Sequence, residues 1–230
     1  MKGIRDATPR SKSVCALVSG GVESAALLKA LLKDRLVVYP VYVRGGHAWE
    51  KVELYWLRRL LRAFRSSNLK PLTVLDLPID DCYRTAQWSL SGRRVPSSRT
   101  PDESVYLPGR NILLLAKASV FCAERGIRKI ALGTLGSNPF PDANSRFFRL
   151  MGRALSAGLR AKLKIEILFG RFHHKEQVLA QAGNVPWQFT FSCIAPSGKR
   201  HCGHCNKCAE RKKAFRAARI SDPTRYAFRQ

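Results

Sequence analysis

Two groups of residues have types and spacings suited to chemistry. The first is Ser19-Gly20-Gly21-Val22-Glu23-Ser24, set between a short apolar run and a stretch of helical periodicity. Two glycines let the backbone approach a phosphate closely, amides at a helix start point outward, and the Ser19 and Ser24 hydroxyls add donors, so the segment suits a pyrophosphate. A glycine turn also serves plain tight packing of a strand on a helix, and taken alone it does not separate the two uses. The second group is Cys193, Cys202, Cys205 and Cys208, spaced C-x8-C-x2-C-x2-C. Thiolates at this spacing converge on one tetrahedral zinc, with short knuckles bending the chain and the longer loop closing the fourth bond. Four sulfurs leave no open coordination position, which makes the metal structural. Gly203 suits a knuckle that requires unusual dihedrals. C-x2-C-x2-C also occurs in ferredoxins, but the Cys-Pro that completes that pattern is absent here. His201 and His204 lie close by, although four cysteines already satisfy the metal.

The elements that must position these groups alternate. Strands are predicted over Val14–Val18, Leu36–Val43, Leu72–Leu77, Lys129–Gly133 and Ile165–Phe169, and helices over Glu23–Lys33, Trp49–Phe64, Asn111–Ala123 and Ser145–Leu159. Strands alternating with helices imply parallel pairing and right-handed crossovers, hence an α/β fold with a parallel sheet and helices on both faces. The pattern breaks between Pro78 and Pro108, where Ser, Arg, Gly and Pro cluster; a long loop inside a compact domain is often a lid or binding loop, so it is assigned to the active-site rim. The expected organisation is an α/β domain over 1–189 and a cysteine-rich, basic, zinc-binding appendage over 190–230.

No run of about 18 apolar residues is present, and Met1 to Arg10 is too polar for the apolar stretch of a signal peptide, so a cytoplasmic protein with no membrane partner is expected. Clustering of four of the seven cysteines argues against a disulfide framework. The 41 basic residues face 16 acidic ones, a formal charge of +25. The excess is spread over Arg58 to Arg65, Arg93 to Arg99, Arg146 to Arg153 and Lys199 to Arg219. No arginine-rich run interleaved with exposed aromatic residues stands out, which favours a solvated surface over a nucleic-acid partner.

Several segments together resemble the 7-cyano-7-deazaguanine synthase family. Ser-Gly-Gly-x-acid-Ser is similar to the pyrophosphate loop of the adenylating ATP pyrophosphatase superfamily, in which the acid is usually Asp; here it is Glu23. Thr190-Phe191-Ser192-Cys193, then Cys202-Gly203-His204-Cys205-Asn206-Lys207-Cys208, then Arg211 and Ala214-Phe215, resemble the family's C-terminal zinc signature. Leu107-Pro108-Gly109-Arg110-Asn111, Pro141-Asp142 and Lys175-Glu176 match further positions, so the resemblance runs from Ser19 to Phe215. One segment departs: where the family carries Gly-Gln-Arg-His-x-x-Glu, this chain reads Gly45-Gly46-His47-Ala48-Trp49-Glu50.

The resemblance implies an adenine nucleotide α-hydrolase-like fold and an ATP-dependent ligase of queuosine biosynthesis. It would join ammonia to 7-carboxy-7-deazaguanine through an adenylated carboxylate to make the nitrile. It further implies that Ser19, Gly20, Gly21 and Ser24 hold pyrophosphate, that Glu23 helps place Mg2+, and that Arg110 and Lys175 neutralise charge on the phosphates. Asp142 would bond a guanine-like amidine edge, and Cys193, Cys202, Cys205 and Cys208 would hold Zn2+. Each has a plainer reading: Arg110 pairing within its turn, Asp142 capping the helix near Ser145, Lys175 a solvated charge. His47, His173 and His174 stay outside the catalytic set. Three other functions are carried: a tRNA thiolase, for which only Cys82 lies in a loop; a zinc-ribbon nucleic-acid binder on an inactive core; and the same adenylation redirected to a protein or nucleic-acid acceptor. A homodimer is compatible with all of them.

Overall fold

The computed structural model describes residues 12–84 and 87–228; Met1 to Arg10 lies outside the described residues. Five strands form one parallel sheet in the order β3-β2-β1-β4-β5: β1 (Ser13–Leu17), β2 (Val37–Arg44), β3 (Thr73–Asp76), β4 (Lys129–Leu135) and β5 (Lys164–Phe169). The helices are α1 (Val22–Lys33), α2 (Glu50–Ala63), α3 (Trp88–Ser91), α4 (Arg110–Glu124), α5 (Ser145–Gly158), α6 (Lys175–Ala182) and α7 (Asn206–Ala217). The strand and helix pattern read from hydrophobic periodicity is reproduced within about two residues at each boundary. The exceptions are α3, α6 and α7, which are too short or too polar to show an apolar stripe.

The central strands, covered on both faces, deal their residues to two cores. Val14, Ala16, Val38 and Tyr42 enter a core with Leu27 and Leu28 of α1, Leu57 and Leu60 of α2, Leu179 of α6 and Phe215 of α7. Cys15 and Val41 point the other way, to Leu115 and Cys122 of α4 and Phe148 of α5. This is the period-two alternation of a sheet covered by helices on each side. Cys15 and Cys122 are thus small buried hydrophobes, while Cys82 is exposed beside Asp81. A third cluster surrounds the four cysteines and takes in Trp49, Val105, Phe191 and Ile194.

From β1 the chain moves outward through β2 and β3, then returns past β1 to place β4 and β5 on its other side. The carboxyl ends of β1 and β4 therefore border the crevice where open parallel sheets bind ligands. The loop over 78–108 folds onto the cysteine knuckle: Ser98 N donates to His204 O (2.8 Å), Asn206 N to Pro96 O (2.9 Å) and Asn206 Nδ2 to Thr100 O (2.9 Å).

Phe215, 1% exposed, meets Trp187 edge-on with ring centroids 6.1 Å apart, joining α7 to the principal core. Phe215→Ala is expected to cost about 3–5 kcal/mol, to be checked by urea denaturation; a loss under 1 kcal/mol would mean that α7 is not part of that core.

Candidate active site and metal centre

The glycine turn follows β1 directly. Ser19 N donates to Ser24 Oγ (3.0 Å), and the two hydroxyl oxygens lie 3.3 Å apart, so the turn is laced across its mouth. Gly21 caps α1 without a side-chain cap, leaving the first-turn amides of a 12-residue helix facing the crevice. Gly20 has φ +86°, and a Cβ there would lie 3.3 Å from Leu57 Cβ, so the turn needs glycine for both conformation and space. Its carbonyl accepts from Phe191 N at 2.8 Å, so a segment beside the first cysteine walls the turn.

A cleft of about 380 Å³ opens over this turn, within the range typical of ligand sites. It brings together Ser19, Gly21, Glu23, Ser24, Arg110, Asp142 and Lys175, sequence-predicted residues drawn from four separate stretches. Asp102, Val105 and Leu107 of the long loop also line it, the rim position assigned to that loop. A groove of about 1030 Å³ between α1, β5 and α6 is larger, but the residues of the turn do not line it.

Lys175 is 8% exposed, which rules out a solvated charge. Its Nζ lies 2.9 Å from Glu23 Oε1 and 3.0 Å from Glu210 Oε1. Burial works against its charge, but Glu210 and Glu23 outweigh that and hold the ammonium above the ordinary lysine range. Glu210 is correspondingly held down, to about 2: burial opposes ionisation, while Lys175 and Lys207 more than compensate. Lys207 Nζ stands 2.9 Å from Glu210 Oε2.

Asp142 does not cap the helix near Ser145. Asn144 does, its Oδ1 accepting from Phe147 N at 2.9 Å. Asp142, 5% exposed, instead anchors the start of α4: its Oδ2 accepts from Asn111 N and its carbonyl from Asn111 Nδ2, both at 2.9 Å. Arg110 opens α4 after Gly109, with its Nε buried and without a partner among the described residues.

Further residues of the cleft escaped the sequence reading. Tyr42 donates to Glu53 Oε2 at 2.6 Å, and both line the cleft. Burial raises Glu53 to about 7 and pushes the Tyr42 hydroxyl well above its ordinary range. Glu50 accepts from Gly45 N (2.7 Å) and Gly46 N (3.1 Å), fixing the segment that departs from the resembled family. Glu50, Glu53, Leu54, Leu57 and Leu60 share the buried face of α2. Acids set in an apolar i, i+3, i+4, i+7 stripe were the available signal. His47 is buried, stacked 4.7 Å from Trp49, which stacks on Trp88; burial and Arg110 lower it to about 3, so it is neutral. His173 and His174 are exposed.

The four cysteine sulfurs all lie within 4.8 Å of one another, with Cys193–Cys205 at 3.8 Å and Cys202–Cys208 at 3.9 Å. Tetrahedral zinc with bonds near 2.3 Å places its sulfurs about 3.8 Å apart, so the cluster fits one ion. Cys202 N donates to Cys193 Sγ (3.2 Å) and Cys205 N to Cys202 Sγ (3.3 Å), which suits thiolates. Gly203 has φ +93°, the knuckle conformation expected of it. His201 supplies no fifth ligand: its Nε2 accepts from Ser192 N (3.1 Å), and burial with Arg211 lowers its pKa to about 3.

A parallel sheet with helices on both faces, a glycine turn at its switch point and a cluster of four cysteines define an α/β protein with a cysteine-rich appendage that fits zinc. The family model described as "Queuosine biosynthesis protein QueC" matches residues 13–219, and the chain belongs to that family. Relatives include 7-cyano-7-deazaguanine synthase 1 of Desulfitobacterium hafniense (29% identical, covering 88% of this chain and 90% of that one). The 7-cyano-7-deazaguanine synthase of an Anaeromyxobacter species is 30% identical over 94% of this chain and 97% of that one. That of Methanococcus aeolicus is 26% identical over 94% and 99%. Among the described residues no helix is long and apolar enough to cross a membrane.

Glu53 generates a pH prediction. A carboxyl raised on folding contributes stability that is whole below its unfolded pKa and lost as pH rises through the folded value, here from about 4.5 to about 7. Glu53→Gln should flatten that decline, a difference on the order of 3 kcal/mol by pH 8, read as melting temperature against pH. Parallel curves for the two proteins would refute it.

Proposed function

We propose that this chain is an ATP-dependent carbon–nitrogen ligase that converts 7-carboxy-7-deazaguanine and ammonia into 7-cyano-7-deazaguanine. The observation that carries this reading is the convergence, in a chain of this family, of the glycine turn, Arg110, Asp142 and Lys175 on one cleft. A carboxylate oxygen is a poor leaving group. Attack on the α-phosphorus of ATP expels pyrophosphate and ties that oxygen to AMP, which ammonia then displaces to leave an amide. A second activation carries off the amide oxygen on another AMP, and loss of protons leaves the nitrile.

In this scheme the amides after Gly21 and the hydroxyls of Ser19 and Ser24 receive the pyrophosphate. The unpartnered Nε–H of Arg110 is available to an anionic oxygen, and Asp142, whose Oδ2 already serves Asn111, offers its remaining oxygen to an amidine edge. Glu23 and the two hydroxyls are hard oxygen donors that suit Mg2+, which would supply charge neutralisation on the pyrophosphate. Glu23 would share that duty with Lys175, so Lys175 acts on phosphate as part of a pair whose charge is already partly balanced. Residues 1–189 form the ATP pyrophosphatase domain in this reading, and 190–230 the zinc appendage that walls it.

Incubation with ATP, ammonia and 7-carboxy-7-deazaguanine is expected to release AMP and pyrophosphate and to form the nitrile by mass spectrometry. Ser24→Ala should reduce turnover about 10- to 100-fold through loss of one charge-assisted hydrogen bond. Production of ADP and phosphate alone, or no turnover of the acid, would overturn the reading.

The metal is proposed to be zinc, one ion per chain, acting on folding. Cys205→Ser should lose the ion and the amide-exchange protection of residues 190–228. Iron with sulfide in the purified protein, or a Cys205→Ser protein with unchanged protection, would refute this.

A further inference from the structure

The basic residues are not evenly solvated. Helix α2 turns both of its glutamates, Glu50 and Glu53, to the buried side, so its outer face carries Arg58, Arg59 and Arg62, followed just past its end by Arg65, with no acid among them. Among the described residues none of these four, nor Lys70 or Lys199, is paired with a carboxylate. Arg58 and Arg62 fall at i and i+4, a step of about 6 Å along the axis, and Arg65 follows just past the end of the helix, where its φ is +30°. With Lys70 they line a groove of about 370 Å³ floored by Leu61 and Leu69.

Aromatic rings adjoin these basic residues. The Arg59 guanidinium lies 5.6 Å from the ring centres of both Tyr55 and Trp56 and 5.3 Å from that of Phe189. Lys199 Nζ stands 4.4 Å from the Tyr55 ring, and Trp56 Nε1 donates to Lys199 O at 2.7 Å. Arginines and aromatics interleave here in space, contrary to the expectation from sequence, because Lys199 and Phe189 arrive from distant parts of the chain. Lys199 lies between Cys193 and Cys202, so the cysteine knuckle sets its position.

We propose that this face, formed by α2, Phe189 and the loop carrying Lys199, is a binding surface for single-stranded nucleic acid. The cations without carboxylate partners meet the phosphates, and the half-buried ring of Tyr55, with Lys199 over it, offers its exposed part to an unstacked base. A duplex keeps its bases stacked and has no use for the rings. Large apolar side chains that would insert into a bilayer are missing from this face: among the described residues the exposed ones are Ile112, Val120, Leu150 and Phe228, none of them on α2 or the loop carrying Lys199.

The test is fluorescence anisotropy of the full chain with a labelled 12-nucleotide oligouridine, repeated with a duplex of equal length and with phosphatidylserine vesicles as competitor. Oligouridine should bind at low salt with a log–log salt slope of about −3, for roughly four phosphates. Arg58→Gln/Arg62→Gln/Arg65→Gln should make the slope shallower by about 2, and Tyr55→Leu should weaken binding about 5- to 100-fold. The matched substitution of Arg146, Arg149 and Arg153 on α5 should leave binding within about twofold. Circular dichroism verifies that each variant is folded. No binding at 50 mM salt, equal affinity for the duplex, displacement by vesicles, or equal loss from the α5 variant would overturn the proposal. AMP release is not an arm of this test, so its outcome is separate from that of the ligase reading.

Discussion

The site depends on one buried ammonium. Lys175, at the start of α6, joins Glu23 of the glycine turn's helix to Glu210 of α7. Without it two carboxylates would face each other in a crevice partly withdrawn from water. Removing one member of such a pairing is costly because it strands a desolvated charge, on the order of 3–5 kcal/mol. The three residues come from chain positions that share no local structure. Their meeting registers the cysteine-bearing tail against the glycine turn and the parallel sheet.

The tail is therefore part of the cleft wall as well as the carrier of the four-cysteine cluster. Phe191 N closes on Gly20 O, and the residues just before it are held by Arg211, fully buried, whose guanidinium donates to Thr190 Oγ1 (2.8 Å) and Thr224 Oγ1 (2.7 Å). Lys207 and Glu210 then line the cleft from the helix that begins at the third cysteine. A metal held by the four cysteines would have no open position, and it would act through such packing by fixing where the wall of the turn stands. The long loop over 78–108 closes the same unit from the other side by bonding to the knuckle backbone.

Charge is sorted by the same architecture. Helix α2 sends Glu50 to the amides of Gly45 and Gly46, Glu53 to Tyr42, and its arginines outward. Acids are consumed inside, where hydrogen bonds offset part of the cost of burial. Bases are left outside with few partners, and a diffuse excess in composition becomes a directed field at the surface.

Sequence alone determined the elements with strong periodicity, since a strand buried on both faces and an amphipathic helix each leave an apolar pattern. It also determined the two local motifs, because a glycine turn and a cysteine knuckle are made within a few residues. Helices α6 and α7 were invisible: they bury Val178 and Leu179, or Ala214 and Phe215, too few apolar residues for a stripe. Side-chain partnership was decided only by the tertiary structure. Nothing local tells Lys175 that Glu23 and Glu210 await it, separates Asp142 as an anchor of α4 from a cap of α5, or carries Lys199 over Tyr55. Contacts across more than a hundred residues depend on how the crossovers pack, and the energy that selects them is shared among the buried cores.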